Sequence, residues 1–422
     1  MPTVVLLGTL DTKGAEYDYL RQQVRALGCD VVLVDAGVMG DPGVQPDITR
    51  AAVAEAAGSG IATLVAAGDR GAAMETMALG ATAIVRRLHS EGRLDGILGL
   101  GGSGGSSLIT RAMRALPVGV PKLMVSTMAS GDTRPYVGVS DVTMMYSVVD
   151  IAGINPISER ILSNAAAAIA GMARTSAAFR PAAQTRPLVG ATMFGVTTPC
   201  VTVARERLEE LGYTVLVFHA TGTGGQSMEA LMQSGYISAS LDITTTELAD
   251  DLVGGVLSAG PERLEAAGKL GIPQVVSLGA LDMVNFGPME TVPAAFRDRR
   301  LYVHNPTVTL MRTTREENAE LGRRIARKLN AARGPLTLFI PLKGVSAIDI
   351  AGQPFYDPEA DGALFAALRE HLDPHVEVRE LDMDINDPIF ARAMADRLHE
   401  LYQKWSQTHA HQPLTGGQEV AR

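Results

Sequence analysis

Residues 94–116 constrain this chain more than any other stretch. They open as a buried-type strand, Leu94-Asp95-Gly96-Ile97-Leu98-Gly99-Leu100, and break into Gly101-Gly102-Ser103-Gly104-Gly105-Ser106-Ser107. An apolar-periodic segment over 108–116 follows and reads as a helix. Strand, glycine turn, helix is the arrangement in which backbone N–H groups converge on an anion. Glycine lets a phosphate come close to the backbone, and Ser106 and Ser107 fall where N-cap hydroxyls would sit. No Gly-Lys-Ser/Thr follows, so this is not a Walker A loop, and Gly-x-Gly-x-x-Gly is not met in register. The expectation is a phosphate-binding turn; the plain alternative is a flexible glycine connection.

A chain of 422 residues is long for one core, so two domains are expected. Lys plus Arg number 37 against 46 Asp plus Glu, a net charge of −9, which argues against a nucleic-acid partner. Cys29 and Cys200 are far apart and outside any motif, as small apolar residues in a reducing compartment would be. Met1-Pro2-Thr3 enters a strand with no basic segment before it, so no signal peptide is expected. The longest uncharged run, 187–204, is interrupted by Gly, Pro and Thr and is no membrane span. A cytoplasmic protein without a membrane partner is the resulting expectation.

The first half alternates strand and helix. Val4 opens a buried-type strand ending at Gly8, a loop over 9–14 follows, and a helix over 15–27 ends at Gly28. A second strand over 31–34 carries Asp35 at its carboxyl end, helical patterns cover 48–57 and 71–88, and a strand over 122–126 precedes a polar loop. A long helix is expected over 155–174, and residues 175–186 read as a linker. Beyond it the opening pattern returns: 188–195 echoes 6–9, a helix over 201–211 ends at Gly212, and His219 stands after 215–218 as Asp35 stands after 31–34. The fold class is therefore α/β, two tandem Rossmann-like doubly wound domains with mainly parallel sheets, over 1–180 and 187–407, with a frayed tail over 408–422.

Several motifs in order carry a resemblance. Gly8-Thr9-Leu10-Asp11-Thr12-Lys13-Gly14, residues 99–105, 126–135 and 218–225, and Val303-His304-Asn305-Pro306 resemble the Tm-one-like ATP-binding domain family. That family comprises the ATP-binding domain of the tomato tobamovirus-resistance protein and its bacterial relatives. The likeness runs over about residues 2–405. It implies two Rossmann-like domains, ATP binding and a homodimer or higher homo-oligomer, and it supplies no reaction. In the plant protein the module restrains viral RNA replication by binding a viral replication protein; the residues here carry no sign of that role.

Read residue by residue, the first domain offers phosphate-type groups. Thr9, Asp11, Thr12 and Lys13 follow the first strand, where Lys13 stands to neutralise a phosphate and Thr12 to donate to it; the alternative is a solvated turn. Asp35 stands either to accept from a ribose hydroxyl or as a turn residue. Thr127, Ser130, Asp132 and Arg134 line the polar loop, with Arg134 a phosphate clamp and Asp132 a Mg²⁺ ligand unless the two form a surface ion pair. The second domain has its own glycine turn, Gly222-Thr223-Gly224-Gly225, and strand-end groups Asp242, Asp282, Asn305 and Lys343 for a substrate. His219 and His304 are the proton-transfer candidates, each expected to emerge at a site. No His-x-Glu, His-Glu-x-x-His or Cys-x-x-Cys pattern supports zinc, and Ser227 is in no nucleophile elbow.

The expected function is an ATP-binding two-domain protein, with Mg²⁺, acting on a small polar or acidic metabolite between its domains. Two alternatives stand beside it: a non-catalytic nucleotide-responsive regulator, and an NAD(P)-dependent enzyme, the latter disfavoured by the missing Gly-x-Gly-x-x-Gly.

Overall fold

The computed structural model describes residues 1–179 and 186–409. The chain forms two compact units, one built on Met1–Ala182 and the other on Ala183–Glu419. Among the described residues no helix is long and apolar enough to cross a membrane.

In the first unit five parallel strands, β1 (Thr3–Gly8), β2 (Asp30–Asp35), β3 (Gly96–Gly101), β4 (Lys122–Ser126) and β5 (Thr143–Tyr146), lie in the order β2-β1-β3-β4-β5. Parallel neighbours need crossovers, and α1 (Leu10–Ala26), α2 (Arg50–Ala56), α3 (Ile61–Ala67), α4 (Arg70–Ser90) and α5 (Ser103–Arg114) lie in them. A short α6 (Arg134–Val137) and the long α7 (Pro156–Ala178) complete the unit. The strands are apolar on both sides because both faces are covered. Val5 and Leu7 of β1 pack with α2, α4 and α5, while Val4 and Leu6 pack with α1 and α7. All four are fully buried.

The second unit has a six-stranded parallel sheet of β6 (Leu188–Met193), β7 (Thr214–His219), β8 (Ala239–Thr244), β9 (Gln274–Gly279), β13 (Leu336–Pro341) and β14 (Glu377–Leu381), in the order β14-β13-β9-β8-β6-β7. Read from β7, the path β7-β6-β8-β9-β13 retraces β2-β1-β3-β4-β5, so the repeat seen at 188–219 continues through the sheet. Between β9 and β13 the chain inserts a small antiparallel sheet of β10 (Met283–Phe286), β11 (Leu301–Asn305) and β12 (Val308–Arg312). The helices are α8 (Thr198–Glu210), α9 (Thr223–Gln233), α10 (Glu247–Val253), α11 (Ala266–Leu270), α12 (Arg315–Asn330), α13 (Pro358–His371) and α14 (Pro388–His409).

Several element boundaries differ from the sequence reading, each for a local reason. Helix α1 opens with a short turn at Leu10, where Asp35 accepts from the Leu10 N–H at 3.1 Å; Lys13 then leaves helical geometry (φ −130°, ψ 23°), and the regular helix runs on from 14, one residue before the expected 15. Ser106 and Ser107 lie inside α5; its N-cap is Gly102. Residues 175–178 of the expected linker belong to α7, and residues 408–409 of the expected tail belong to α14. Phe179 caps α7, while linker residues 180–185 and tail residues 410–422 lie outside the described residues.

Candidate functional site

In the first sheet the chain passes from β1 to β2 on one side and returns to β3 on the other. The turns leaving β1 and β3 therefore diverge, and such a reversal opens a crevice beyond the carboxyl ends of the strands. Thr9 and the first turn of α1 leave β1, and residues 101–107 leave β3, so these two turns flank that place. Tyr17 of α1 holds the split from below. Its buried hydroxyl donates to the Leu7 carbonyl and accepts from the Leu100 N–H at 2.9 Å, so one side chain joins β1 to β3 where their pairing ends. Burial drives the Tyr17 phenol far up, so it stays neutral and keeps its proton. The motifs of the sequence do not single out Tyr17; its one signal there is an aromatic on the buried face of α1, seven residues after Leu10.

The glycines of this turn divide by what surrounds them. A β-carbon on Gly99 would lie 2.4 Å from Ile109 Cγ2, and one on Gly101 would lie 3.0 Å from the Gly105 Cα, so close packing demands both. The other three are different. A β-carbon on Gly102 would meet Thr127 Oγ1, on Gly104 the Met74 Cε and on Gly105 the Leu100 carbonyl, each at 3.7 Å, an ordinary contact. None of the three has a left-handed φ. Gly104 and Gly105 also lie in the first turn of a helix, where glycine is a poor choice. No side chain caps α5, so the N–H groups of Ser103, Gly104 and Gly105 point outward from the positive end of a twelve-residue helix.

Around this turn the structure gathers some of the expected residues and disperses others. Thr127 stands beside Gly102 and donates its backbone N–H to the Gly101 carbonyl at 3.3 Å. Ser103 and Ser107 are exposed, while Ser106 is buried and its hydroxyl pairs with Ser126 Oγ at 2.6 Å, tying α5 to β4. Thr9 and Thr12 share a hydroxyl–hydroxyl bond of 2.9 Å. The Lys13 ammonium donates to the Ile151 carbonyl, ahead of α7. Asp35 is fully buried; its Oδ1 accepts from Leu10 and Gly37, and burial lifts its carboxyl above the ordinary range against those two bonds. Asp132 and Arg134 form a fork–fork pair at 2.8 and 2.9 Å on open surface, and Arg134 holds the Asp132 carboxyl down to about 2. Ser130 is exposed in the same loop. A cavity of about 440 Å³ opens beside the first turns of α1, lined by Asp11, Thr12, Glu16, Gly43 and Gly153 among others.

The second glycine turn has a different character. The N–H groups of Gly222 and Gly225 donate to Glu247 Oε1 at 2.7 and 3.0 Å, so the chain's own carboxylate occupies the N-terminus of α9. Glu247 and Asp242 in turn hold Arg263, with Asp242 bidentate at 2.6 Å and Glu247 at 2.6 Å, and all three side chains are buried. Structure requires each of these glycines: Gly222 has φ +82°, a β-carbon on Gly224 would lie 1.7 Å from the His219 carbonyl, and one on Gly225 would lie 2.2 Å from Glu247 Oε2. Thr223 is exposed at the first turn.

The other second-unit candidates spread over separate elements. His219 ends the edge strand β7 and is exposed. Contrary to the expectation that His304 follows a buried strand, it lies on the exposed strand β11 of an antiparallel hairpin. Its neighbour Asn305 shapes the hairpin turn, accepting from both the N–H and the hydroxyl of Thr307. Lys343 pairs with Asp382 at 2.9 Å, both exposed. Asp282 is fully buried, accepts from Ser346 Oγ at 2.8 Å and lies with Asp349 and Asp361 around Arg312.

Residues 2–178 match the model of the Uncharacterised protein family (UPF0261) N-terminal domain, and residues 186–402 match that of its C-terminal domain. A UPF0261 protein of Clostridium tetani is 56% identical over 402 residues, 95% of this chain and 99% of that protein. One from Rhizobium meliloti is 50% identical over 397 residues, 93% of this chain and 97% of that protein. The ToMV resistance protein Tm-1(GCR237) of Solanum lycopersicum is 47% identical over 340 residues, 79% of this chain and 45% of the tomato protein. The relationship implied by the ordered motifs is thus present over both units, and the chain belongs to the UPF0261 family.

Proposed function

We propose that the first unit binds ATP, with the phosphates against the N-terminus of α5 at the split between β1 and β3. The observation that supports this most is the glycine pattern. Gly102, Gly104 and Gly105 are required neither by packing nor by φ, and two of them weaken the first turn of α5. A ligand that must touch the backbone accounts for them, and an uncapped helix N-terminus favours an anionic one. The Tm-one-like motif resemblance points to the same nucleotide. The second unit is not given an anion in this reading, because Glu247 already takes the N–H groups of its glycine turn.

Calorimetric titration with ATP tests the reading. Hydrogen bonds to a charged phosphate contribute about 1.5–3 kcal/mol each. Gly104→Val places its side chain where the phosphate would approach, and its β-carbon meets only Met74 Cε, at an ordinary 3.7 Å; circular dichroism checks that the variant is folded. It loses ATP affinity by at least about tenfold, about 1.4 kcal/mol. Equal affinity in wild type and a folded Gly104→Val rejects the proposal.

A further inference from the structure

Two buried carboxylate oxygens beside this crevice have no partner. Asp35 gives its Oδ1 to the Leu10 and Gly37 N–H groups at 3.1 and 2.8 Å, and its Oδ2 is buried without a hydrogen bond. Asp11 gives its Oδ2 to the Met39 and Gly40 N–H groups at 2.8 and 3.3 Å, and its Oδ1 is likewise buried and unpartnered. The two side chains converge on Gly37: a β-carbon there would stand 2.7 Å from Asp11 Oδ1 and 3.0 Å from Asp35 Oδ1. Asp35 is fully buried.

Nearby positive groups make no hydrogen bond to these oxygens, although Arg50 attracts the Asp35 carboxylate from a distance. Arg50 donates to the Gly40 carbonyl and to Asp41 Oδ1, and Lys13 donates to the Ile151 carbonyl. Two carboxylates side by side repel, and each buried charge without a counter-charge is costly. A hard divalent cation with oxygen ligands removes both costs. The four backbone N–H groups fix the two carboxylates from behind and leave the free oxygens for an ion, as outer-shell donors do in metal sites.

We infer that Asp11 and Asp35 form a divalent-cation site of the Mg²⁺ type at the carboxyl ends of β1 and β2. Among the described residues no group of three or more His, Cys, Asp or Glu side chains converges to hold a metal. The protein therefore supplies two ligands, and water or phosphate oxygens supply the rest, which is the usual Mg²⁺ arrangement at nucleotide sites. Asp11 follows β1, the strand paired with β3, and β3 leads into the turn proposed for the phosphates. Its role as counter-ion to ATP rests on the proposed function; the ion site itself does not. Gly37 is fixed by the same geometry, because any side chain there would enter the carboxylate pair.

The test uses the full chain, stripped with a chelator, and Mn²⁺ alone read by electron paramagnetic resonance. One Mn²⁺ binds per chain without nucleotide, Mg²⁺ displaces it, and Asp11→Asn weakens it at least tenfold with an unchanged melting temperature. No Mn²⁺ uptake at millimolar concentration overturns the inference, as it would if a proton on Asp35 took the ion's place. So does wild-type affinity in Asp11→Asn. Should that variant not fold, Mn²⁺ broadening of the Leu10, Gly37, Met39 and Gly40 amide signals in the wild type decides: selective broadening supports the site, and its absence rejects it. Mn²⁺ binding without ATP binding removes only the nucleotide reading. Unaltered ATP binding together with no Mn²⁺ uptake removes only the ion site.

Discussion

At the residue scale the two glycine turns look alike in sequence and separate in structure. Gly224 and Gly225 are packed against the His219 carbonyl and Glu247, whereas Gly104 has room for a β-carbon. A residue kept against local propensity and without a packing reason is expected to be kept for a ligand. Gly104→Ala therefore stabilises the folded first unit by a few tenths to about 1 kcal/mol, the helix-propensity difference, while ATP affinity falls. Urea denaturation read by circular dichroism measures the first effect; a loss of stability in Gly104→Ala would show that packing holds that glycine after all. The strand–turn–helix grouping was legible because glycines between apolar runs have few other readings. Which glycines serve packing was not, because that depends on neighbours such as Ile109 and Glu247 that sequence spacing does not bring together. For the same reason Asp35 reads in sequence as a ribose acceptor or a turn residue, although β2 buries it beneath the first turn of α1.

At the element scale the crevice depends on how β1 and β3 part. Their pairing ends at Leu7 and Gly99, and the Tyr17 hydroxyl takes over at the Leu7 carbonyl and the Leu100 N–H. Tyr17→Phe keeps the ring and removes the hydroxyl, leaving the Leu100 N–H buried and unpaired. Such a loss costs about 1–3 kcal/mol. Chemical denaturation of Tyr17→Phe is expected to show that loss; an unchanged midpoint would mean that the strands hold the split unaided. Strand–helix alternation made the parallel sheets legible, since runs such as 4–7 are apolar on both faces. The antiparallel insertion was not. Its strands span only four or five residues, and one of them, β11, is largely exposed, so residues 304–307 read as a loop leaving a buried strand.

Across the whole molecule, buried acids outnumber buried arginines in both units among the described residues. In the second unit Arg312 faces Asp349 and Asp361, with Asp282 close by, and burial, with repulsion from neighbouring acids, raises all three carboxyls. Asp250 lies apart from them and is pushed up to about 7, chiefly by burial. An acid whose folded pKa is raised binds more protons when folded, so its contribution is complete below the unfolded value near 4 and is lost as pH climbs through the folded value. The transition of the second unit in scanning calorimetry should therefore move down in temperature between pH 5 and pH 8. A tenfold difference in a carboxyl's proton affinity between the folded and unfolded chain carries about 1.4 kcal/mol. A transition that rises over that range would contradict the protonated state of these acids.

The central claim is that ATP phosphates meet the N-terminus of α5. Glycine-selective ¹⁵N labelling reads it directly, because the turns of both units report in one spectrum. On addition of ATP the amide signals of Gly102, Gly104 and Gly105 should shift in proportion to occupancy, while those of Gly222 and Gly225, already bonded to Glu247, stay in place. Saturating ATP that leaves Gly102, Gly104 and Gly105 unmoved, or that moves the second turn instead, would contradict the account.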